Sequence, residues 1–148
     1  MARVKPKDLL RAWLYHLLLN MQKPDLYPDN SIYIGIDKVC EFKRVDNGEV
    51  ILKQLLEIYW SGLVKPLPFF PNASYDYAES FFKDNNEYSA ISKAENAWYG
   101  SNHNRGEIED EYFRLCFGNV NPLDDEFKRI TRQIYEPLLT AFDKKKSS

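Results

Sequence analysis

Residues 32–45 read IYIGIDKVCEFKRV. β-Branched and aromatic side chains fill Ile32 to Ile36 and again Val39 to Val45, with Gly35 and Asp37 interrupting the run. Such residues favour a pleated, half-buried surface, and the interruption reads as a turn, so the stretch predicts a short β-hairpin or a bent pair of strands. Asp46-Asn47-Gly48 closes the second strand.

Helical patterns flank this pair. Upstream, between Asp8 and Asn20, the residues Leu9, Leu10, Trp13, Leu14, Leu17 and Leu18 fall in pairs four apart, a wide apolar stripe that predicts a largely buried helix. Downstream, Val50, Ile51, Leu55, Ile58 and Tyr59 recur at helical spacing up to Gly62, which reads as the C′ glycine of a second buried helix over 49–61. The class is therefore α/β (α+β), a small sheet flanked by several helices.

Beyond Gly62, Pro66-Leu67-Pro68-Phe69-Phe70-Pro71 cannot be a central strand, because three prolines fix φ and remove donors. An extended segment with its phenylalanines tucked inward is expected. Ser74 with Glu79 opens a helix that carries Tyr77, Ala78, Phe81 and Phe82, and a weakly amphipathic pattern continues from Tyr88 to Trp98. A polar loop follows from Gly100 to Gly106, and Glu109 to Phe117 is compatible with a short helix or a strand. Asn121-Pro122 ahead of Asp124, Asp125 and Glu126 starts a last helix with the stripe Leu123, Phe127, Ile130, Ile134, Leu138 and Phe142, kinked at Pro137. Lys144 to Ser148 reads as a solvated tail.

Composition narrows the classes. A chain of 148 residues, 44% of them hydrophobic, fits one domain over residues 1–148 around one core. Its net charge of −2 and pI near 5.7 lack the basic excess of a domain that grips phosphate backbones by itself. Cys40 and Cys116, the only two cysteines, stand far apart without a CxxC or a neighbouring histidine, which excludes a disulfide framework and a zinc signature. Asp8, Arg11 and His16 interrupt the leucine-rich start, so it fails as a signal peptide, and no apolar run reaches the ~20 residues of a membrane span. A cytoplasmic location with no membrane contact is the expectation. No nucleophile elbow and no Gly-rich phosphate loop is present, and neither His16 nor His103 has a sequence partner suggesting a base or a ligand, so both are expected to be structural.

Four colinear segments resemble one family. Tyr59-x-x-Gly62-Leu63-x-x-Pro66-Leu67 is similar to a segment near the end of the gamma subunits (RecC type) of bacterial exodeoxyribonuclease V. Ala12-Trp13-Leu14-x-His16-Leu17-Leu18 is similar to that family's Trp-Leu-x-His-Leu helix, and Arg105-Gly106-Glu107-x-Glu109-Asp110-x-Tyr112 to its Arg-Gly-Glu loop. Ile134-x-x-Pro137-Leu138 is similar to its closing helix, so the likeness spans about residues 12–139. The resemblance implies the carboxy-terminal domain of that subunit, excised from a larger polypeptide. It implies a degenerate PD-(D/E)XK restriction-endonuclease-like fold without catalysis or cofactor. The implied role is that of a scaffold between the beta and alpha helicase subunits, meeting DNA through the assembled helicase–nuclease in double-strand-break repair.

Pro28-Asp29, followed after eleven residues by Glu41-Phe42-Lys43, fits the nuclease pattern literally. Asp29 and Glu41, with Asp37 as a second possible first ligand, would hold a divalent cation through hard carboxylate oxygens while Lys43 positions the attacking water. Gln54 and Tyr59 stand, imperfectly spaced, where related active nucleases carry Gln and Tyr. The expectation here is a relic, because Glu41 and Lys43 also alternate as any solvent-facing strand does. For partner or DNA binding the candidates are Trp98, Tyr99, Arg105, Glu107 and Tyr112, since aromatics beside an arginine can stack bases or anchor a protein. The simpler alternative has Trp98 and Tyr99 closing the core and Arg105 paired with a glutamate.

Overall fold

The computed structural model describes residues 3–22, 29–101 and 104–146, and these divide into two compact units, 1–57 with 137–148, and 58–136. His103 and the Pro24–Pro28 part of the expected break lie outside the described residues.

The first unit holds α1 (Pro6–Gln22), β1 (Ser31–Ile34), β2 (Lys38–Phe42) and β5 (Phe142–Lys146). The hairpin expected from residues 32–45 is present: β1 and β2 pair antiparallel with Ile34 opposite Val39, and Gly35 N–H donates to the Lys38 carbonyl at 3.0 Å. Residues 142–146, read as the end of a helical stripe and a solvated tail, instead form a third strand on β2, with Phe142 opposite Phe42. Pairing satisfies the ladder groups β2 would otherwise expose, and the Phe42 and Phe142 rings meet at 5.7 Å. The sheet order is β1-β2-β5.

Alternation along β2 turns Cys40 and Phe42, both fully buried, toward α1, whose Leu9, Trp13 and Leu17 are also fully buried. Trp13 and Phe42 lie 5.7 Å apart. The expected stripe on α1 is half realised, for Leu14 and Leu18 remain exposed. Buried polar side chains replace them at the inner face. His16 Nε2 lies 2.9 Å from the Lys43 carbonyl and Nδ1 2.8 Å from the Ser31 hydroxyl. A carbonyl only accepts, so Nε2 carries the proton and the serine hydroxyl donates to Nδ1. One turn on, Asn20 accepts from Val45 N–H at 3.1 Å and donates to the Asp29 carbonyl at 3.3 Å. The structural role expected of His16 is thus the stitching of α1 to both strands.

Burial is the main cause that lowers the His16 pKa, and the hydrogen bond to Lys43 opposes it only in part. The unfolded chain therefore takes up this proton first as pH falls, and stability is lost from about pH 6.5 downward until the folded pKa is passed. Urea midpoints at pH 7.5 and 5.5 should show the loss, and His16→Gln should flatten that part of the profile; a parallel profile in the variant would count against it.

The second unit begins within α2 (Gly48–Val64) and ends within α6 (Asp125–Ala141). α2 is the clearest departure from expectation. Gly62 lies inside the helix, which stops only as Pro66 approaches, and of the expected core face only Ile51 is buried while Val50 and Tyr59 are exposed. The prolines then run extended to Phe70, where α3 (Pro71–Asp84) starts, followed by α4 (Glu87–Tyr99) with Asn86 capping it through Ser89 N–H at 3.1 Å. Strands β3 (Gly100–Ser101) and β4 (Asn104–Arg105) bring Gly106 against the end of α4 so closely that a Cβ at either Gly100, with φ 82°, or Gly106 would strike backbone. A short 3-10 turn (Glu107–Glu109) leads into α5 (Glu111–Phe117), which settles the stretch left open as helix. Asp124, not Asn121, caps the start of α6, accepting from Phe127 N–H at 2.9 Å. The core of this unit joins Phe70, Ala73, Tyr77, Ala94, Trp98 and Phe127.

Candidate functional site

Each residue of the nuclease pattern bonds a partner of its own in the fold. Asp29 pairs with Arg44 at 3.2 Å, and Glu41 accepts from the Asn30 amide at 3.1 Å. Asp37 accepts from Val4 N–H at 2.9 Å, a bond that is the main cause holding its carboxyl below the ordinary aspartate range. Lys43 reaches Asp143 on β5 at 3.3 Å. Glu41 and Asp143 stand opposite each other in the β2–β5 ladder, so Lys43 offsets a like-charge pair. Asp143 was invisible to the pattern because its segment reads as a tail. Among the described residues no three His, Cys, Asp or Glu side chains are grouped to hold a metal. Gln54 and Tyr59 are exposed on α2.

The aromatic and arginine candidates separate into two kinds. Trp98 is fully buried, its ring 4.2 Å from Phe70, so it offers no surface to a ligand. Glu107 reaches across the second unit to the start of α3, accepting from Asn72 N–H at 2.9 Å and Ala73 N–H at 2.8 Å. It caps α3 where the helix's own Phe70 has no side chain to do so. Burial pushes the Glu107 carboxyl up, the two amides pulling the other way, and Asp76 on α3 is raised chiefly by burial too. Arg105 pairs with Glu109 at 2.7 Å, while Tyr99 and Tyr112 keep most of their surface in solvent.

What the sequence reading missed is a surface. On α2, Leu56, Tyr59, Trp60, Leu63 and Val64 are all exposed, from 49% at Leu56 to 89% at Val64. Their spacing of i, i+3, i+4, i+7 and i+8 gathers them on one helical face, a stripe of the kind that helices turn to a core. The signal is in the sequence, but it is the same signal a buried helix gives.

The carboxylates of the nuclease pattern thus bond backbone, a cation or a side-chain amide, and α2 leaves a wide apolar face in solvent. Residues 1–82 match the family model described as RecC C-terminal domain, and the chain belongs to that family. RecC is the gamma subunit of the RecBCD exonuclease V complex, and that assembly of several subunits is the family's setting. The segments Arg105–Tyr112 and Ile134–Leu138 lie beyond the matched residues. No curated protein matches the chain. No helix among the described residues is long and apolar enough to cross a membrane.

Proposed function

We propose that this chain is a noncatalytic scaffold domain of the exodeoxyribonuclease V gamma subunit, acting in double-strand-break repair in the bacterial cytoplasm. Its α2 stripe packs against the beta or alpha subunit, or against the rest of its own subunit, and it meets DNA only as part of the assembly. The exposed Leu56–Val64 face is the observation that supports the reading. Large contiguous apolar surface on a soluble domain marks an interaction site. Helix, antiparallel hairpin and helix in that order, with Glu41-x-Lys43 straddling the end of β2, are compatible with a degenerate PD-(D/E)XK-like fold. Tyr99 and Tyr112 add aromatic surface near Arg105; with that guanidinium already on Glu109, a protein partner fits better than a phosphate backbone.

The competing reading is a metal-dependent nuclease built on Asp29 or Asp37, Glu41 and Lys43. Labelled single- and double-stranded DNA incubated with the chain and magnesium or manganese should stay intact, equally with Glu41→Ala. Cleavage by the parent chain that the variant loses would overturn the scaffold reading.

A further inference from the structure

β1 is an edge strand, with no strand paired to its outer side among the described residues. In an antiparallel pair, hydrogen-bonded and non-bonded residue pairs alternate. Since Gly35 N–H bonds the Lys38 carbonyl, the bonded pairs are Tyr33 with Cys40 and Ser31 with Phe42. The N–H and C=O groups of Ile32 and Ile34 therefore point away from the sheet. Natural edges are commonly blunted by lysine, proline or a bulge. Ser31-Ile32-Tyr33-Ile34 has none of these, and Ile32 and Ile34 are 63% and 58% exposed.

Beside this edge runs a groove of about 250 Å³ between α1 and β1. Ala12, Tyr15 and Leu19 line it from the helix and Ile32 and Tyr33 from the strand. The volume is below the roughly 300–1,000 Å³ that encloses a drug-sized ligand and is suited to one or two side chains. Arg11 stands on the groove wall, exposed and without a partner among the described residues, whereas the neighbouring Asp8 carboxylate already accepts from Lys5 N–H at 3.2 Å. Arg11 is thus the cation of the groove wall, with the Asp8 carboxylate, which an amide N–H does not neutralise, one turn before it.

We propose that an extended polypeptide segment adds to the outer edge of β1 as a fourth strand, dropping an apolar side chain into the groove and setting a carboxylate on Arg11. Main chain is the one polymer whose donors and acceptors alternate at the spacing that Ile32 and Ile34 present, which is the logic of strand addition. The inference rests on the scaffold reading for its source, a partner protein of the same assembly.

The probe is the peptide acetyl-Glu-Val-Phe-Val-Thr-amide, titrated into the 148-residue chain and followed by amide exchange and NMR shifts. Bound peptide should slow exchange at the Ile32 and Ile34 amides at least tenfold. Methylating the peptide's backbone nitrogens should weaken binding at least tenfold. Arg11→Glu should weaken it about threefold, the scale of an exposed ion pair, and a peptide with Lys in place of Glu should regain the difference. No slowing at millimolar peptide, or equal binding of the methylated peptide, overturns the proposal. So does protection of these amides without peptide, which assigns the edge to a second copy where light scattering shows a dimer and to the chain itself where it does not. None of these readings involves α2 or other subunits, so failure here leaves the scaffold reading standing, and loss of assembly through α2 leaves this site standing.

Discussion

Replacing Trp60 and Leu63 together with serine should leave the domain folded and strip it from its assembly. Both side chains are already mostly in solvent, at 64% and 59%, so the folded chain gives up little contact. Surface changes of this kind normally stay within about 0.5 kcal/mol, and the melting temperature should barely move. If the face is covered in the assembly, a buried aromatic anchor there contributes about 2 kcal/mol or more to association, a factor of roughly thirty in affinity. Co-purification of the gamma subunit with its beta and alpha partners, with dissociation followed on the reassembled complex, reads the difference. A variant that assembles as tightly as the parent removes the observation on which the scaffold reading rests, whereas a variant that unfolds would mean α2 is held by contacts its exposure does not suggest.

The contrast between α1 and α2 explains how far the sequence was legible. Both show apolar residues at helical spacing, and both helices form close to the expected bounds. Periodicity reports that a face will be covered, not by what. In α1 the cover is the chain's own sheet, reached through Trp13 and Phe42; in α2 it is absent from the described residues. The hairpin was readable because its determinants are neighbours in sequence, Ile32 to Ile36 followed by Val39 to Val45.

Features set by distant parts of the chain were not readable. β5 exists because β2 offers it a ladder a hundred residues upstream, and three lysines in a row have no strand propensity to announce it. The cap of α3 is Glu107, brought from 35 residues away, so the local reading placed the start at Ser74 when Pro71 already opens the helix. Ser74 does lie at that end, but it accepts from Phe70 N–H at 3.0 Å from inside the first turn. The candidate site shows the same division. Glu41-x-Lys43 was visible as a pattern, whereas the pairing of Lys43 with Asp143 required the fold. Trp98 was readable both as a surface anchor and as a residue closing the core at a helix end, and its burial selects the second, whereas the capping of α3 by Glu107 is assigned by tertiary structure alone.

Phe70→Ala should be the most damaging single truncation in the second unit. Its ring is fully buried and meets those of Trp98 at 4.2 Å, Phe113 at 5.2 Å, Phe117 at 5.3 Å and Phe127 at 6.2 Å, joining α4, α5 and α6 to the start of α3. Truncating a buried phenylalanine costs about 3–5 kcal/mol, and the figure rises when the surroundings cannot close the cavity. Closure is hindered here because Phe70 sits between Pro68 and Pro71, whose φ angles are fixed, and its own backbone is extended at φ −124° and ψ 127°. The loss is a large part of the roughly 5–15 kcal/mol of an ordinary domain, and should lower the melting temperature by about 10 °C or more. Phe69→Ala provides the control. Phe69 is only half-buried and among the described residues stacks on Tyr135 alone at 5.8 Å, so its truncation should cost much less. Trp98→Phe should also be milder than Phe70→Ala, since it keeps a ring against Phe70 and removes an indole N–H that finds no acceptor among the described residues. Thermal melts of the three variants should therefore rank Phe70→Ala lowest; equal melting of Phe70→Ala and Phe69→Ala would mean the aromatic cluster around Phe70 does not hold the second unit together.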